Sequence, residues 1–195
     1  MAVMPGSVLV VCTGNVCRSP YIERRLRHEL NGTGIEVTSA GTDALVGHDM
    51  DAGTRERLHH KGIDAGGFVA RQLTADLLSG ADLVVAAARE HRAAAARLYP
   101  AAMARTVTLR DLADLLSELP SDELEAAAGG ISWVRQVGTA ASRRRGSVPA
   151  RQDGVDIVDP IGGPSSLFVQ MAAQADDALL SVVRVLRQDP ETRIG

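Results

Sequence analysis

Cys12 and Arg18 stand with five residues between them, Thr13-Gly14-Asn15-Val16-Cys17, and Ser19-Pro20 follow directly. A thiol and a guanidinium so spaced can face a single phosphate from opposite sides, provided the intervening loop is tight. Its backbone N–H groups then converge on one point, where a following helix also favours an anion. Those N–H groups, the helix dipole and Arg18 all favour negative charge on the Cys12 sulfur, the form in which cysteine is a nucleophile. Ser19 can donate a hydrogen bond to the same sulfur, stabilising it as nucleophile and as leaving group. Phosphoryl transfer spreads charge over three equatorial oxygens, which suits the planar fork of Arg18 and the loop amides from Thr13 onward. A lysine would not match that bidentate geometry. Asn15 tolerates a left-handed backbone and can hydrogen-bond locally, so it is expected to fix the loop.

Such a loop needs a strand before it and a helix after it. Ser7 to Val11 is a short β-branched apolar run, the pattern of a buried parallel strand, broken by the small polar residues Thr13, Gly14 and Asn15. Ser19 and Pro20 stand where an N-cap and N1 residue belong, ahead of an amphipathic stretch to Leu30. Ile35 to Ala40 predicts a second strand, followed by a long loop from Gly41 to Asp51. Helical spacing over Asp51 to Lys61 ends at Gly62, a natural C-cap, and a short helix is expected near Thr74 to Ser79. Asp82 to Ala87 reads as a third strand, Arg89 to Leu98 as a helix stopped by Pro100, and Thr106 to Leu109 as a fourth strand. Pro164 to Gln188 carries the apolar spacing of a long amphipathic helix. Strands alternating with helices imply an α/β fold with a parallel sheet, right-handed crossovers and both faces covered. The ligand site is then expected at the C-terminal edge of the first strand.

The segment from Asp111 to Asp153 departs from this alternation: two helix-like pieces, then Arg143, Arg144 and Arg145, then Gly, Ser and Pro. Its second half reads as a mobile loop, and the arginine run as either a contact for acidic or phosphorylated partners or a solvated loop. The 195 residues, 45% of them apolar, suit one domain with an insertion at about 111–153. A net charge of −3 gives no general drive toward nucleic acid. No apolar run approaches the roughly 20 residues of a membrane span, so a cytoplasmic protein without a membrane partner is the default. The two cysteines argue for a reducing compartment with reactive thiols, and no second Cys or His pair stands at metal-ligand spacing. His59 and His60 read as a solvated helix face.

The block Cys12-Thr-Gly-Asn-Val-Cys-Arg-Ser-Pro20 closely resembles the signature of low-molecular-weight protein tyrosine phosphatases, bacterial type. Ser39-Ala-Gly-Thr42, Gly62-Ile-Asp64, Ala70-Arg-Gln-Leu-Thr74, Ala81-Asp-Leu-Val-Val-Ala86 with Arg89 and His91, and Asp159-Pro160-Ile-Gly-Gly163 look like family landmarks in family order. The resemblance covers most of the chain outside residues 111–153. It implies a three-layer sandwich with a four-stranded parallel sheet in the flavodoxin-like order 2-1-3-4, the phosphate loop following strand 1. It also implies a phosphatase working through phosphocysteine, with Cys12, Arg18 and Asp159 catalytic, and Thr13, Gly14, Asn15, Val16, Cys17 and Ser19 forming or supporting the loop. Asp159 would protonate the leaving oxygen and then activate water, with Pro160 stiffening its loop and Asp153 and Asp156 as rivals for the role. That chemistry needs neither metal nor organic cofactor. Cys17 reads either as an apolar filler or, as in the family, as a partner in a protective disulfide with Cys12. The chain departs from the family pattern at Phe68, where many members have His, and at Ala88, where many have Asp.

Tyrosine-specific relatives line the pocket mouth with aromatic rings. Here Leu45 or Val46 and Ile161 take those places, and Tyr21 or Trp133 would have to replace a ring. Phosphotyrosine is the expected substrate class, with phosphate, vanadate or arsenate as active-site anions. A protein-arginine phosphatase of the same fold is the alternative; in that branch a Thr stands where Val16 stands here. Thiol-dependent arsenate reduction usually needs further cysteines, and a weakly active phosphate-binding or interaction module is the reading from a different class. Oligomeric state is not set by any motif.

Overall fold

The computed structural model describes residues 5–117, 119, 124 and 131–187. Its sheet has four strands, β1 (Ser7–Cys12), β2 (Glu36–Gly41), β3 (Leu83–Ala86) and β4 (Thr106–Thr108), all parallel in the order β2-β1-β3-β4. The order and layering are those the resemblance implies. β1 lies in the middle because Val8 to Val11 is apolar on both faces. Successive side chains of a strand point to opposite faces. Val8 and Val10 therefore pack with Ile22 and Leu26 of helix α1 (Arg18–Glu29), whereas Leu9 and Val11 pack on the other side.

That other side is thin. It holds α3 (Ala75–Gly80), α4 (Arg89–Leu98) and the 3₁₀ turn Pro100–Arg105, through Leu78, Ala95 and Ala102. The thicker layer adds α2 (Ala52–His59), α5 (Leu109–Ser117), α6 (Trp133–Arg144) and α7 (Ser165–Leu186) to α1. Asp51 caps α2 by accepting from Gly53 N at 2.8 Å, and Gly62 takes φ +70° in the turn that follows it. His59 and His60 are exposed as expected. No described helix is long and apolar enough to cross a membrane.

Two expectations are corrected. Helix α1 starts at Arg18 with Cys17 before it and no side-chain cap, because the Ser19 hydroxyl is engaged with the phosphate loop instead. The mobile loop expected in the second half of 111–153 gives way over Trp133–Arg144 to a helix capped by Ser132, which accepts from Arg135 N. Residues 118, 120–123 and 125–130 of that segment lie outside the described residues, as does Gln188, the expected end of the last helix. Helix α6 is anchored by Trp133, fully buried, whose Nε1 donates to Leu186 O at 2.9 Å, with Val134, Val137 and Ala141 buried beside it. Trp133→Ala removes a buried ring and orphans that carbonyl. The expected loss is about 3–5 kcal/mol in denaturant unfolding, with turnover per folded molecule unchanged; a loss below about 1 kcal/mol would show that α6 is not part of the core.

Candidate active site

At the C-terminal edge of β1 the chain turns from Cys12 into α1, and the loop between them is held from outside. The carbonyls of Cys12, Thr13, Gly14 and Val16 accept from the amides of Thr42, Asp43, Leu45 and Asp51 at 2.9–3.1 Å, so the loop after β2 wraps the first loop. None of the amides of Thr13 to Cys17 donates to another group among the described residues, which leaves five consecutive N–H groups for a ligand. Asn15 takes φ +55°, the left-handed conformation that Asn tolerates and that reverses the loop. Gly41 is required where β2 ends: a Cβ there would sit 2.3 Å from Thr13 O.

Beneath the loop runs a buried polar chain. Asn15 Oδ1 accepts from Arg71 N at 2.9 Å, which fixes its amide orientation, so Nδ2 donates to Ser19 Oγ at 2.8 Å and to Ser39 Oγ at 2.9 Å. Ser39 Oγ in turn donates to Glu23 at 2.5 Å. Ser19 Oγ, which accepts from Asn15, lies 2.9 Å from the Cys12 sulfur, where its hydroxyl can donate to a thiolate. The polar partners of the Asn15 side chain are thus Arg71, Ser19 and Ser39, the last backed by Glu23. Phe68 packs into the apolar cluster, its ring centroid 5.9 Å from the Arg24 guanidinium. The loss at Ala88 is made good: Asp156 accepts from Arg89 N at 2.7 Å and supplies the carboxylate at the start of α4.

Arg18 Nη2 donates to Asp159 Oδ2 at 2.7 Å and to Thr13 Oγ1 at 3.3 Å. The arginine side chain is 5% exposed and the carboxylate 41%, so the pair spans from the floor of the site to solvent. Ile161 N donates to Asp159 Oδ1, turning the Asp-Pro loop over the site. Asp153 and Asp156 lie outside the cleft, the latter occupied at α4. The resulting cleft, about 210 Å³, has the Cys12 loop as its floor and Asp43, Leu45, Asp159 and Ile161 as its rim. Of the wall residues expected from sequence, Leu45 and Ile161 are there. Val46 is not: it points into solvent, and Asp43 lines the rim instead. Neither Tyr21 nor Trp133 replaces an aromatic wall, because both are buried in the core, Tyr21 donating to Asp176.

The two cysteines are both free and sit in different settings. Burial, with Asp51 adding to it, pushes the Cys17 thiol up to about 12, so at neutral pH it keeps its proton. His91 has no role from sequence beyond its place in a landmark, yet its Nε2 lies 2.9 Å from Thr13 Oγ1, bracing the residue that Arg18 also contacts. Burial, then the Arg18 charge, lower its pKa from 6.5 to about 4, so it is neutral at neutral pH. The unfolded chain therefore binds more protons between about pH 4 and 6.5, and stability contributed by neutral His91 is complete above 6.5 and lost as pH falls toward 4. His91 is 1% exposed. The wild type is expected to lose on the order of 3 kcal/mol more than His91→Asn across that window, read by denaturant unfolding at each pH. Parallel stability curves for the two proteins would refute a buried neutral imidazole.

The arrangement brings a thiol, five free amides, a guanidinium and a carboxylate to one small cleft. Among the described residues no three His, Cys, Asp or Glu are grouped as a metal site. The family model for low molecular weight phosphotyrosine protein phosphatases matches residues 7–122. The low molecular weight protein-tyrosine-phosphatase Etp of Escherichia coli strain K12 is 41% identical over 101 residues, covering 52% of this chain and 67% of Etp. A protein-arginine-phosphatase of Geobacillus stearothermophilus is 35% identical over 107 residues, covering 55% of this chain and 71% of its own length. Among solved structures, Wzb of Vibrio vulnificus in complex with benzylphosphonate superposes with a TM-score of 0.66 at 25% identity, covering 92% of this chain and 97% of Wzb. Fold, loop sequence and relatives agree, and the chain belongs to the low molecular weight phosphotyrosine protein phosphatase family of hydrolases.

Proposed function

We propose that this protein hydrolyses phosphotyrosine-type phosphate monoesters by two phosphoryl transfers through a phosphocysteine on Cys12. The observation that carries the reading is the set of five unpartnered amides around a sulfur that Ser19 hydrogen-bonds, with Arg18 at the same cleft. Those amides and the Arg18 fork fit the equatorial oxygens of the transferring group, whose charge they stabilise most in the transition state. Arg18 exchanges Asp159 for the incoming phosphate, which frees the carboxylate to take up a proton from solvent and pass it to the leaving oxygen. The same group then takes a proton from the water that attacks phosphocysteine, and phosphate leaves. Phosphate, vanadate and arsenate are the expected anions of the site, and an arylmethyl phosphonate of the kind bound to Wzb is an expected inhibitor.

The rim favours a second substrate reading. Leu45 and Ile161 offer aliphatic contact without an aromatic pair, while Asp43 and Asp159 place two carboxylates at the mouth. Such a mouth suits a cationic leaving group, as in phosphoarginine; against it, Val16 lacks the hydroxyl found in that branch. A substrate panel separates the two: phosphotyrosine, phosphoserine and phosphoarginine peptides compared at equal concentration, with Cys12→Ser as background. Preferred turnover of phosphotyrosine supports the first reading. Preferred turnover of phosphoarginine, reduced in Asp43→Asn, supports the second. Oxyanion binding without turnover of any of the three would indicate a phosphate-binding module.

A further inference from the structure

A second cleft, about 200 Å³, opens beyond the active site between α4, β4, α5 and the stretch that follows α6. Half of it comes from residues past the 7–122 match, including Arg145, the last of the three consecutive arginines, together with Val148 to Arg151. The run is not a solvated loop: Arg143 and Arg144 close the last turn of α6, and Arg144 Nε donates to Leu115 O. Arg145 reaches back to the sheet, where its Nη2 donates to Thr106 O at 2.9 Å. Arg92 of α4 donates to the same carbonyl through Nε at 3.1 Å. One backbone oxygen therefore holds two guanidinium groups side by side, and neither has a carboxylate partner among the described residues.

Two like charges gathered in a half-buried cleft, with Asp111 the one carboxylate left among the described lining residues to offset them, are costly. Burial, and then the Arg92 charge, lower the Arg145 pKa; Asp111 opposes them from within the cleft. The other acid there, Asp114, is taken by a two-pronged pair with Arg151 at 2.6 and 2.8 Å. Among the described residues that leaves two cations without an ion pair facing one such carboxylate, Asp111, over an apolar wall that includes Val107 and Leu115. Each guanidinium has spent one of five N–H donors, so their remaining edges form a fixed double fork.

We propose that this cleft is a second oxyanion site, which takes a phosphate monoester group between Arg92 and Arg145. With Asp111 the two guanidiniums leave a net positive charge, which a phosphate offsets while accepting several charge-assisted hydrogen bonds. The organic part of the ester lies on the apolar wall, and Asp111 accepts from an N–H or O–H of the ligand. The ester is either free in solution or a second phosphate on a phosphoprotein substrate.

Selenate soaked into crystals of the wild-type protein tests this without any substitution. Anomalous density within hydrogen-bonding distance of both Arg92 and Arg145, in addition to that in the Cys12 loop, is the expected result. Calorimetric titration of inorganic phosphate is expected to show two sites in the wild type. Arg92→Gln/Arg145→Gln should retain one, the second weakened by at least about tenfold, with aryl phosphate turnover unchanged. Because that variant also gives up two bonds to Thr106 O, Arg92→Lys/Arg145→Lys serves as a charge-preserving companion, and melting temperatures are recorded for both. Glycerol phosphate binding to the cleft alone identifies a free ester. A KM for a doubly phosphorylated peptide about tenfold below that of its singly phosphorylated form, lost in the Gln variant, identifies a protein-borne one. Either supports the proposal. A single phosphate site in the wild type with no selenate between the arginines overturns it, and so do two undiminished sites in the Gln variant. The density does not depend on turnover, so this test stands or fails separately from the phosphatase reading.

Discussion

Cys12→Ser is expected to abolish turnover of aryl phosphates, by at least about 10⁴-fold, while phosphate and vanadate still bind. Binding rests on the amides of Thr13 to Cys17 and on Arg18, none of which the substitution touches. Chemistry rests on the sulfur. A serine hydroxyl in its place keeps the 2.9 Å neighbour Ser19 but offers no anion for that hydroxyl to stabilise. Cys17 cannot take over the role, because burial and Asp51 hold its thiol up at about 12. Initial rates on an aryl phosphate, with calorimetric titration of phosphate on the same preparation, check both halves. Residual turnover of more than a few per cent in the variant would mean that the nucleophile lies elsewhere.

The next largest effect is expected at Asp159, where Asp159→Ala should slow phosphate-ester turnover by about 10²- to 10⁴-fold, the range for a general acid. The structure adds a condition on how this loss is distributed. Arg18 spends its 2.7 Å contact on Asp159 in the free protein and must give it up to the substrate. Removing the carboxylate therefore leaves the guanidinium free for phosphate, so KM should hold or fall while kcat drops. The drop should be smaller for p-nitrophenyl phosphate than for phenyl phosphate, because a weakly basic leaving group needs less protonation. The pH-rate profile should change as well. A profile that keeps its wild-type shape, or equal losses for the two esters, would remove Asp159 from proton transfer.

What was legible in the sequence is local or strongly periodic. Cys12, Arg18 and Ser19 fall within one turn of chain, so their types and spacing alone indicated a common anion, and the strand before them could be recognised from Val8 to Val11. The alternation of strands and helices carried the layer architecture, and the family landmarks carried the strand order and Asp159. The remaining partners are long-range. His91 meets Thr13 across 78 positions, and Asp156 caps α4 across 67, distances over which no pattern in a single chain speaks. Asp43 carries no signal of its own within the Gly41 to Asp51 loop; the bond from Leu45 N to Gly14 O is what holds that loop over the site. Ser-Pro is a helix start signal, yet α1 begins one residue earlier; the Ser19 contact with Cys12 follows from their spacing, whereas its bond to Asn15 comes from the loop's burying them together. Trp133–Arg144 was hidden by the Arg, Gly, Ser and Pro that follow it, whereas the burial of Trp133 against the end of α7 decides that it is a helix.

The central claim is that turnover passes through a phosphoryl group on the Cys12 sulfur, and acid-quenched turnover followed by peptide mass spectrometry addresses it most directly. With p-nitrophenyl phosphate, whose weakly basic leaving group favours a fast first transfer, the intermediate is expected to accumulate. The account predicts one added phosphoryl group on the peptide that contains Cys12, present during turnover and gone once substrate is exhausted. Steady turnover with the phosphoryl group on a different residue, or with no labelled peptide above the Cys12→Ser background, would contradict it.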